Sequence, residues 1–390
     1  ANPDVLGGIY RITRDGMTPM VDPRGTRIDW SARSNAQLAG DLMETRFAVR
    51  ERAIDECVRR GDIIIDTLSS VIRNGDIPAR YSSIWALTRI LNKPTSGLTP
   101  QSVTRAQTAL KVALEDREAG VRQIACQAFT SVPDATALEM LIAKLKDESL
   151  AVRRVAANAI GRLQNAAAIP ELVSMLNGTD RELMHAATYA LIEIADTKNL
   201  EAALSNQSEP AVLIRGHVAL QQFATEPKAP RGTALCDWPT DAGLQRELLG
   251  YYRRYFRSIH NAGAAGSEKL NPEMGQVLAS LVDQRQAGHV TDDIVANFVA
   301  EFAALPTVAE RVGQLLSDNA TPTDFRTSLL SGIGRTNVAL PESWIAPLMA
   351  ELDSNDAERV TAGLTSIRSI KSDVLQKKVA ALAAAEQTTT

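Results

Sequence analysis

The sequence predicts an all-α solenoid, a right-handed superhelix of helical hairpins with a short N-terminal β-strand remnant. The first observation is a repeat. The run Val152-Arg153-Arg154-Val155-Ala156-Ala157-Asn158-Ala159-Ile160-Gly161-Arg162-Leu163 has a counterpart 31 residues upstream, beginning at Val121-Arg122 and ending in Ala128-Phe129. Another lies 31 residues downstream, in Leu183-Met184-His185-Ala186-Ala187-Thr188-Tyr189-Ala190-Leu191. An interval of this length marks stacked supersecondary units, each too small to bury its own apolar face. The second observation is a recurring slot. Glu56, Ala86, Ala128, Ala159, Ala190 and Ala219 follow one another at spacings of 30, 42, 31, 31 and 29, and a second small-residue slot stands three places earlier. The third is composition: aromatics are only 4% of a chain that is 45% hydrophobic. Close helix packing through alanine explains that shortage, since strands favour aromatic and β-branched residues.

Taken in order, the elements begin differently from how they continue. Gly7-Gly8-Ile9-Tyr10-Arg11-Ile12-Thr13-Arg14-Asp15-Gly16 alternates apolar and polar and closes on Asp-Gly, the pattern of one strand and a turn. A lone strand is not stable, so residues 1–30 read as a remnant of an upstream β-domain followed by an irregular linker. From about Ser34 the helical period takes over, and residues 31–223 read as the N-terminal repeats. The segments Ile63 to Ile72, Ala137 to Leu145 and Ala168 to Leu176 space their leucines and isoleucines by three and four, which makes each a partner helix. The long spacing of 42 contains Asn92-Lys93-Pro94-Thr95-Ser96-Gly97, an inserted loop. Residues 224–316 read as an irregular helical insert, because the alanine register fails there. The repeat returns at Phe325-Arg326 and again near Gly363, so residues 317–390 read as C-terminal repeats, fraying from Ala381. About seven to nine hairpins are expected at this repeat length.

Composition excludes several classes. A net charge of −4 and pI near 5.8 give no electrostatic reason to expect nucleic acid. No apolar run reaches the roughly 18 residues that span a bilayer. The start at Ala1-Asn2-Pro3, without methionine or a basic-then-apolar leader, reads as a processed chain or a piece of a longer one. Cys57 and Cys126 fall at core positions of helices, where a thiol behaves as a small hydrophobe, and three scattered cysteines argue against a disulfide framework. His185, His217, His260 and His289 have no His or Cys partner at helical spacing, so no metal is expected. There is no Gly-x-Ser-x-Gly, Walker loop or Gly-x-Gly-x-x-Gly, and neither catalysis nor a cofactor is expected within the chain.

Two features admit both a structural and a binding reading. Glu44 and Arg50, Asp116 and Arg122, and Asp147 and Arg153 are each six apart. Regular repetition favours a structural role, in which each arginine bonds an acid or carbonyl in the turn of its own or the next unit. Tyr251-Tyr252-Arg253-Arg254-Tyr255-Phe256-Arg257 mixes aromatics with arginines. It reads first as a helix burying Leu248, Tyr252, Tyr255 and Phe256 while its arginines meet solvent, and second as a stacking and cationic surface.

The units resemble HEAT repeats, of the short bacterial kind also found in phycobilisome lyases, through Asp147…Val152-Arg153-Arg154-Val155-Ala156…Ala159-Ile160-Gly161-Arg162-Leu163 and Ala168-Ile169-Pro170-Glu171-Leu172. A narrower resemblance rests on Arg50-Glu51-Arg52-Ala53-Ile54, Trp85-Ala86-Leu87-Thr88-Arg89-Ile90, His185 to Asp196 and Leu340-Pro341-Glu342-Ser343-Trp344. These are similar to the middle region of large secreted planctomycete-type proteins that join a sugar-dehydrogenase-like β-propeller, a HEAT solenoid and a c-type cytochrome. Gly8-Ile9-Tyr10-Arg11-Ile12 is similar to the closing strand of such a propeller. The haem-attachment sequence Cys-x-x-Cys-His is absent, so no covalent haem is expected.

The resemblance implies a non-catalytic scaffold linking propeller and cytochrome domains, periplasmic or extracellular, with protein partners. The competing readings are a bilin-lyase-like protein holding a tetrapyrrole and a nucleic-acid-binding HEAT protein of the alkylpurine glycosylase sort. In HEAT arrays the second helix of each hairpin lines the concave side. That places Trp85, Gln127, Asn158 and Tyr189 in one row of the candidate surface and Arg89, Arg162 and Glu193 in the next. Trp238, Arg253, Arg254 and Arg257 of the insert complete it.

Overall fold

Small residues at two fixed slots let helices approach closely, and the computed structural model shows where they do so. It describes residues 16, 21–93, 97–223, 239–261, 264–336, 341–367 and 372–388. The strand expected over Gly7 to Asp15 lies outside them, and the described residues form helices and turns with no strand. Two compact units result, Ala1–Leu163 and Gln164–Thr390.

In the first unit the helices are α1 (Asn35–Asp41), α2 (Phe47–Arg60), α3 (Ile65–Asn74), α4 (Ile77–Leu91), α5 (Pro100–Leu114), α6 (Ala119–Ser131), α7 (Leu138–Lys144) and α8 (Leu150–Leu163). Local chemistry starts several of them. Ser34 and Gln37 form a reciprocal capping box on α1, and Thr99 caps α5 ahead of Pro100 at the first helical position. Odd and even helices pair as hairpins. The even helices then contact one another in series, α2 to α4 to α6 to α8, and the odd ones form the other layer. Ala53, Ser83, Ala125 and Ala156 of the earlier slot are fully buried, as are Ala86, Ala128 and Ala159 of the later one. Glu56 occupies the same slot in α2 and is also buried, because Arg59 and Arg60 hold its carboxylate at 2.6 and 2.9 Å. A paired charge can replace a methyl group there only because both partners satisfy it.

The second unit holds α9 (Ile169–Met175), α10 (Arg181–Ile194), α11 (Thr197–Ser205), α12 (Pro210–Leu220), α13 (Ala242–Asn261), α14 (Ala264–Gln286), α15 (Asp292–Phe302), α16 (Pro306–Ser317), α17 (Thr323–Gly334), α18 (Glu342–Leu352), α19 (Ala357–Ile367) and α20 (Asp373–Thr388). Its layers run α10, α12, α13, α15, α17, α19 and, opposite, α9 with α11 and α14, α16, α18, α20. The described part of the segment read as an irregular insert therefore continues the alternation. Its alanine signature disappears because Tyr251, Leu278, Phe298, Val299 and Phe302 fill the interior instead. Larger side chains on one helix then require a smaller one opposite: a Cβ on Gly332 of α17 would come within 2.7 Å of the Ala296 carbonyl and 2.8 Å of Val299 Cβ.

Candidate functional site

Before any surface can recognise a partner, its helices must be held in register, and the arginines six residues before the slot do this. Arg50 donates to the Glu44 carbonyl at 2.7 Å and Arg122 to the Asp116 carbonyl at 2.9 Å, while Arg153 donates to the Asp147 carbonyl. Each thus closes the turn entering its own helix. Arg122 also forks onto both Asp147 oxygens of the next hairpin at 2.8 Å, and Arg80 reaches the Asp116 carboxylate. The result is a relay from α4 to the α5–α6 turn to the α7–α8 turn. Burial alone would raise the Asp147 carboxyl, but the Arg122 fork and the Ser149 backbone N–H take it below the ordinary carboxylate value.

The second unit repeats the device with different residues. Arg326, six before Gly332, donates to Glu351 at 3.0 Å across the same 25-residue separation that divides Arg122 from Asp147. It also donates to the Leu316, Asp318 and Thr321 carbonyls, and Arg359 forks onto the same fully buried Glu351. Sequence reading placed Arg326 at the return of the repeat but assigned no role to it or to Glu351. The signal was present, because Arg326 stands one place after Phe325 as Arg122 stands after Val121. These arginines serve structure rather than recognition.

The recognition row divides between the two units. In the first, Trp85 on α4 is 38% exposed, and Gln127 on α6 and Asn158 on α8 are half-buried. Gln127 donates its amide to Thr130 at 2.7 Å. One turn further on, Arg89 and Arg162 are exposed, and Arg89 pairs with Asp55 of α2 at 2.6 Å. In the second unit, Tyr189 on α10 is 46% exposed and Glu193 is half-buried, its carbonyl accepting from Gln164 at 3.2 Å.

The arginine-aromatic cluster of α13 separates into two faces. Tyr251, Tyr252 and Leu248 are buried, with Tyr251 edge-on to Tyr252 and to His217 of α12. Arg254 and Arg257 are exposed, and the half-buried Arg253 bonds Glu301 of α15 at 2.6 Å. Tyr251 thus belongs to the core together with the tyrosine beside it. Trp238 lies outside the described residues. A groove of about 670 Å³ opens between α17 and α19, lined by Thr327, Ser331, Arg335, Glu358, Thr361 and Thr365 among others.

No chemistry-bearing cluster accompanies these surfaces among the described residues. Cys57 and Cys126 are buried and free, their thiols pushed by desolvation up to about 12. No group of His, Cys, Asp and Glu among the described residues could hold a metal ion, and no described helix is long and apolar enough to cross a membrane. Burial holds the His217 imidazole below its ordinary value, against the opposing effect of the Leu213 carbonyl that Nδ1 meets at 2.8 Å.

Residues 106–192 match the family model described as HEAT repeats. No curated protein matches the chain. Among solved structures, the complex of CpcE and CpcF of phycocyanin lyase from Nostoc is 17% identical, with 73% of this chain and 92% of that one covered at a TM-score of 0.33. A designed armadillo repeat protein in complex with a (KR)4 peptide is 19% identical over 49% of this chain and 100% of its own, also at 0.33. An engineered protein is 16% identical over 86% and 99%, again at 0.33. Repeat spacing, hairpin stacking and the family match together make the fold an all-α, HEAT-type solenoid.

Proposed function

We propose that this chain is a protein-interaction scaffold without catalytic chemistry of its own. One observation carries the reading: Trp85 and Tyr189, at the same slot of their repeats, stand exposed while the small residues of the two packing slots of the same helices, Ser83 and Ala86 or Ala187 and Ala190, are fully buried. Exposed aromatic side chains on otherwise well-packed helices are the kind that anchor interfaces. In the finer form of the proposal, the scaffold links a propeller-type sugar dehydrogenase domain to a c-type cytochrome domain in a larger periplasmic or extracellular protein. The contact residues are then the Trp85 row on the first unit and, on the second, the Tyr189 row and the arginines of α13, with Trp238.

The reading frame on either side of the coding sequence tests the linker role. A propeller upstream and a Cys-x-x-Cys-His sequence downstream are expected, and finding neither ends that role. Titration of the chain with those two domains tests the scaffold itself. Trp85→Ala and Tyr189→Ala are each expected to weaken association by about 2 kcal/mol. Unchanged affinity in both folded variants would remove these rows from the interface.

A further inference from the structure

Asparagine is followed by glycine at two places in the chain, Asn74-Gly75 and Asn177-Gly178. Because glycine has no side chain, the backbone nitrogen after the asparagine can approach the asparagine side-chain carbonyl carbon unhindered. The two pairs sit in different surroundings. Asn74 is the last residue of α3, and helical side chains tilt towards the helix N-terminus, away from the nitrogen that follows. That nitrogen is also held, since Gly75 N–H donates to the Val71 carbonyl at 2.7 Å. Asn177 lies beyond the end of α9, in the turn before α10, where both it and Gly178 are exposed. The Gly178 N–H meets the Met175 carbonyl only at 3.2 Å, and the Asn177 amide has no hydrogen-bond partner among the described residues.

The same turn is an anchor of the second unit. Arg215 of α12 donates to the Leu176 carbonyl at 2.5 Å and to the Gly178 carbonyl at 3.0 Å. It also forks onto the two Glu247 oxygens of α13 at 2.8 and 3.0 Å. One planar guanidinium thus ties the α9–α10 turn, α12 and α13 together. The two carbonyls it grips stand on either side of the Asn177–Gly178 peptide bond, so their spacing is set by ordinary backbone dimensions. Any atom added between them spoils the fit.

We propose that Asn177 is a site of spontaneous deamidation in the folded protein, and that its isoaspartyl form releases Arg215 from the turn. The Gly178 nitrogen loses its proton to solvent base and attacks the Asn177 side-chain carbonyl carbon. A C–N bond forms, ammonia leaves, and a five-membered succinimide closes. Water then adds to one of the two imide carbonyls. Opening at the main-chain carbonyl leaves the backbone running through the side chain, so that one water has entered and one ammonia has left, with no oxidant or reductant. The isoaspartyl link carries an extra methylene between the Leu176 and Gly178 carbonyls and a new carboxylate beside them. The lengthened turn no longer offers both carbonyls to one guanidinium, and the carboxylate competes with Glu247 for it. Asn74 is protected by its helix and by the shorter bond to Val71. The inference is independent of the scaffold reading.

The test is to age the full chain at mildly alkaline pH and to follow both asparagines by peptide mapping, with isoaspartyl methyltransferase labelling to identify the rearranged product. In the folded chain Asn177 is expected to convert at least about fivefold faster than Asn74, the factor that one hydrogen bond supplies. In urea the two should convert alike. Gly178→Ala should slow the reaction at Asn177 severalfold, and the variant should fold, because a Cβ there meets only the Met175 carbonyl oxygen, at 3.3 Å. The isoaspartyl species, separated by ion exchange, should exchange the amide hydrogens of α12 faster than the unmodified chain. Arg215→Ala should show the same acceleration before ageing and no further one after it. Equal rates at Asn74 and Asn177 in the folded chain overturn the site, as does a preference that persists in urea or unslowed conversion in Gly178→Ala. Unchanged exchange of α12 in the isoaspartyl species overturns the release of Arg215.

Discussion

Arg122 illustrates how much one side chain decides. Its fork onto Asp147 is nine-tenths buried on both sides, so removing it strands a carboxylate away from water. Arg122→Ala is expected to cost about 3 kcal/mol or more in urea denaturation, whereas Arg105→Ala, which breaks an exposed pair with Asp62 and Asp66, should cost under about 1 kcal/mol. Comparable losses in the two variants would refute the distinction. The same fork, together with the Thr136 and Lys111 contacts of Asp134, sets a pH dependence. Asp147 and Asp134 sit below the ordinary value of 3.8 when folded, so the unfolded chain holds more protons there. Their stabilisation is complete above about pH 4 and is lost as pH falls through the folded values. Asp41 opposes this, since burial raises it. Thermal midpoints recorded from pH 6 to pH 2 should therefore fall below pH 4, and a flat profile would count against the relay. Cys57 and Cys126 should resist iodoacetamide at pH 8 in the folded chain and react after unfolding, as peptide mapping would show.

Between helices, the decisive quantity is how closely two backbones approach. At Gly332 a methyl group meets a carbonyl oxygen and a Cβ, neither of which can rotate away. Alanine would gain about 1 kcal/mol of helix propensity and lose about 1 to 3 kcal/mol to overpacking, so Gly332→Ala is expected to destabilise. Gly40 of α1 has nothing within 4 Å of the same position. Gly40→Ala should therefore keep the propensity gain and stabilise by up to about 1 kcal/mol. Guanidinium denaturation of the pair gives both signs, and a stabilised Gly332→Ala would mean that α15 and α17 can separate at no cost.

Across the whole chain, stability in a repeat array is a sum of local terms and neighbour interfaces. Helices flanked on both sides, such as α4 and α6, should exchange their amide hydrogens slowest. The last helix, α20, packs chiefly on α18 and buries Leu375, so it should exchange fastest. Hydrogen-exchange mass spectrometry would reveal the gradient. Uniform protection from α1 to α20 would show a single cooperative core instead.

The sequence by itself determined the element type, the hairpin repeat and the small-residue slots. These follow from local periodicity, because a helix that must bury one stripe every 31 residues leaves that stripe in its spelling. Arg50, Arg122 and Arg153 were legible as structural for the same reason: each finds a carbonyl six residues back in its own turn. The helical character of residues 224–316 was legible but their continuation of the stack was not, since an interior filled by Phe298, Phe302 and Tyr251 in the described part keeps the geometry while discarding the alanine spelling. Only the tertiary structure decided which long-range partner each charge takes and that Tyr251 turns inward. Those outcomes depend on distances between helices that adjacent residues do not encode.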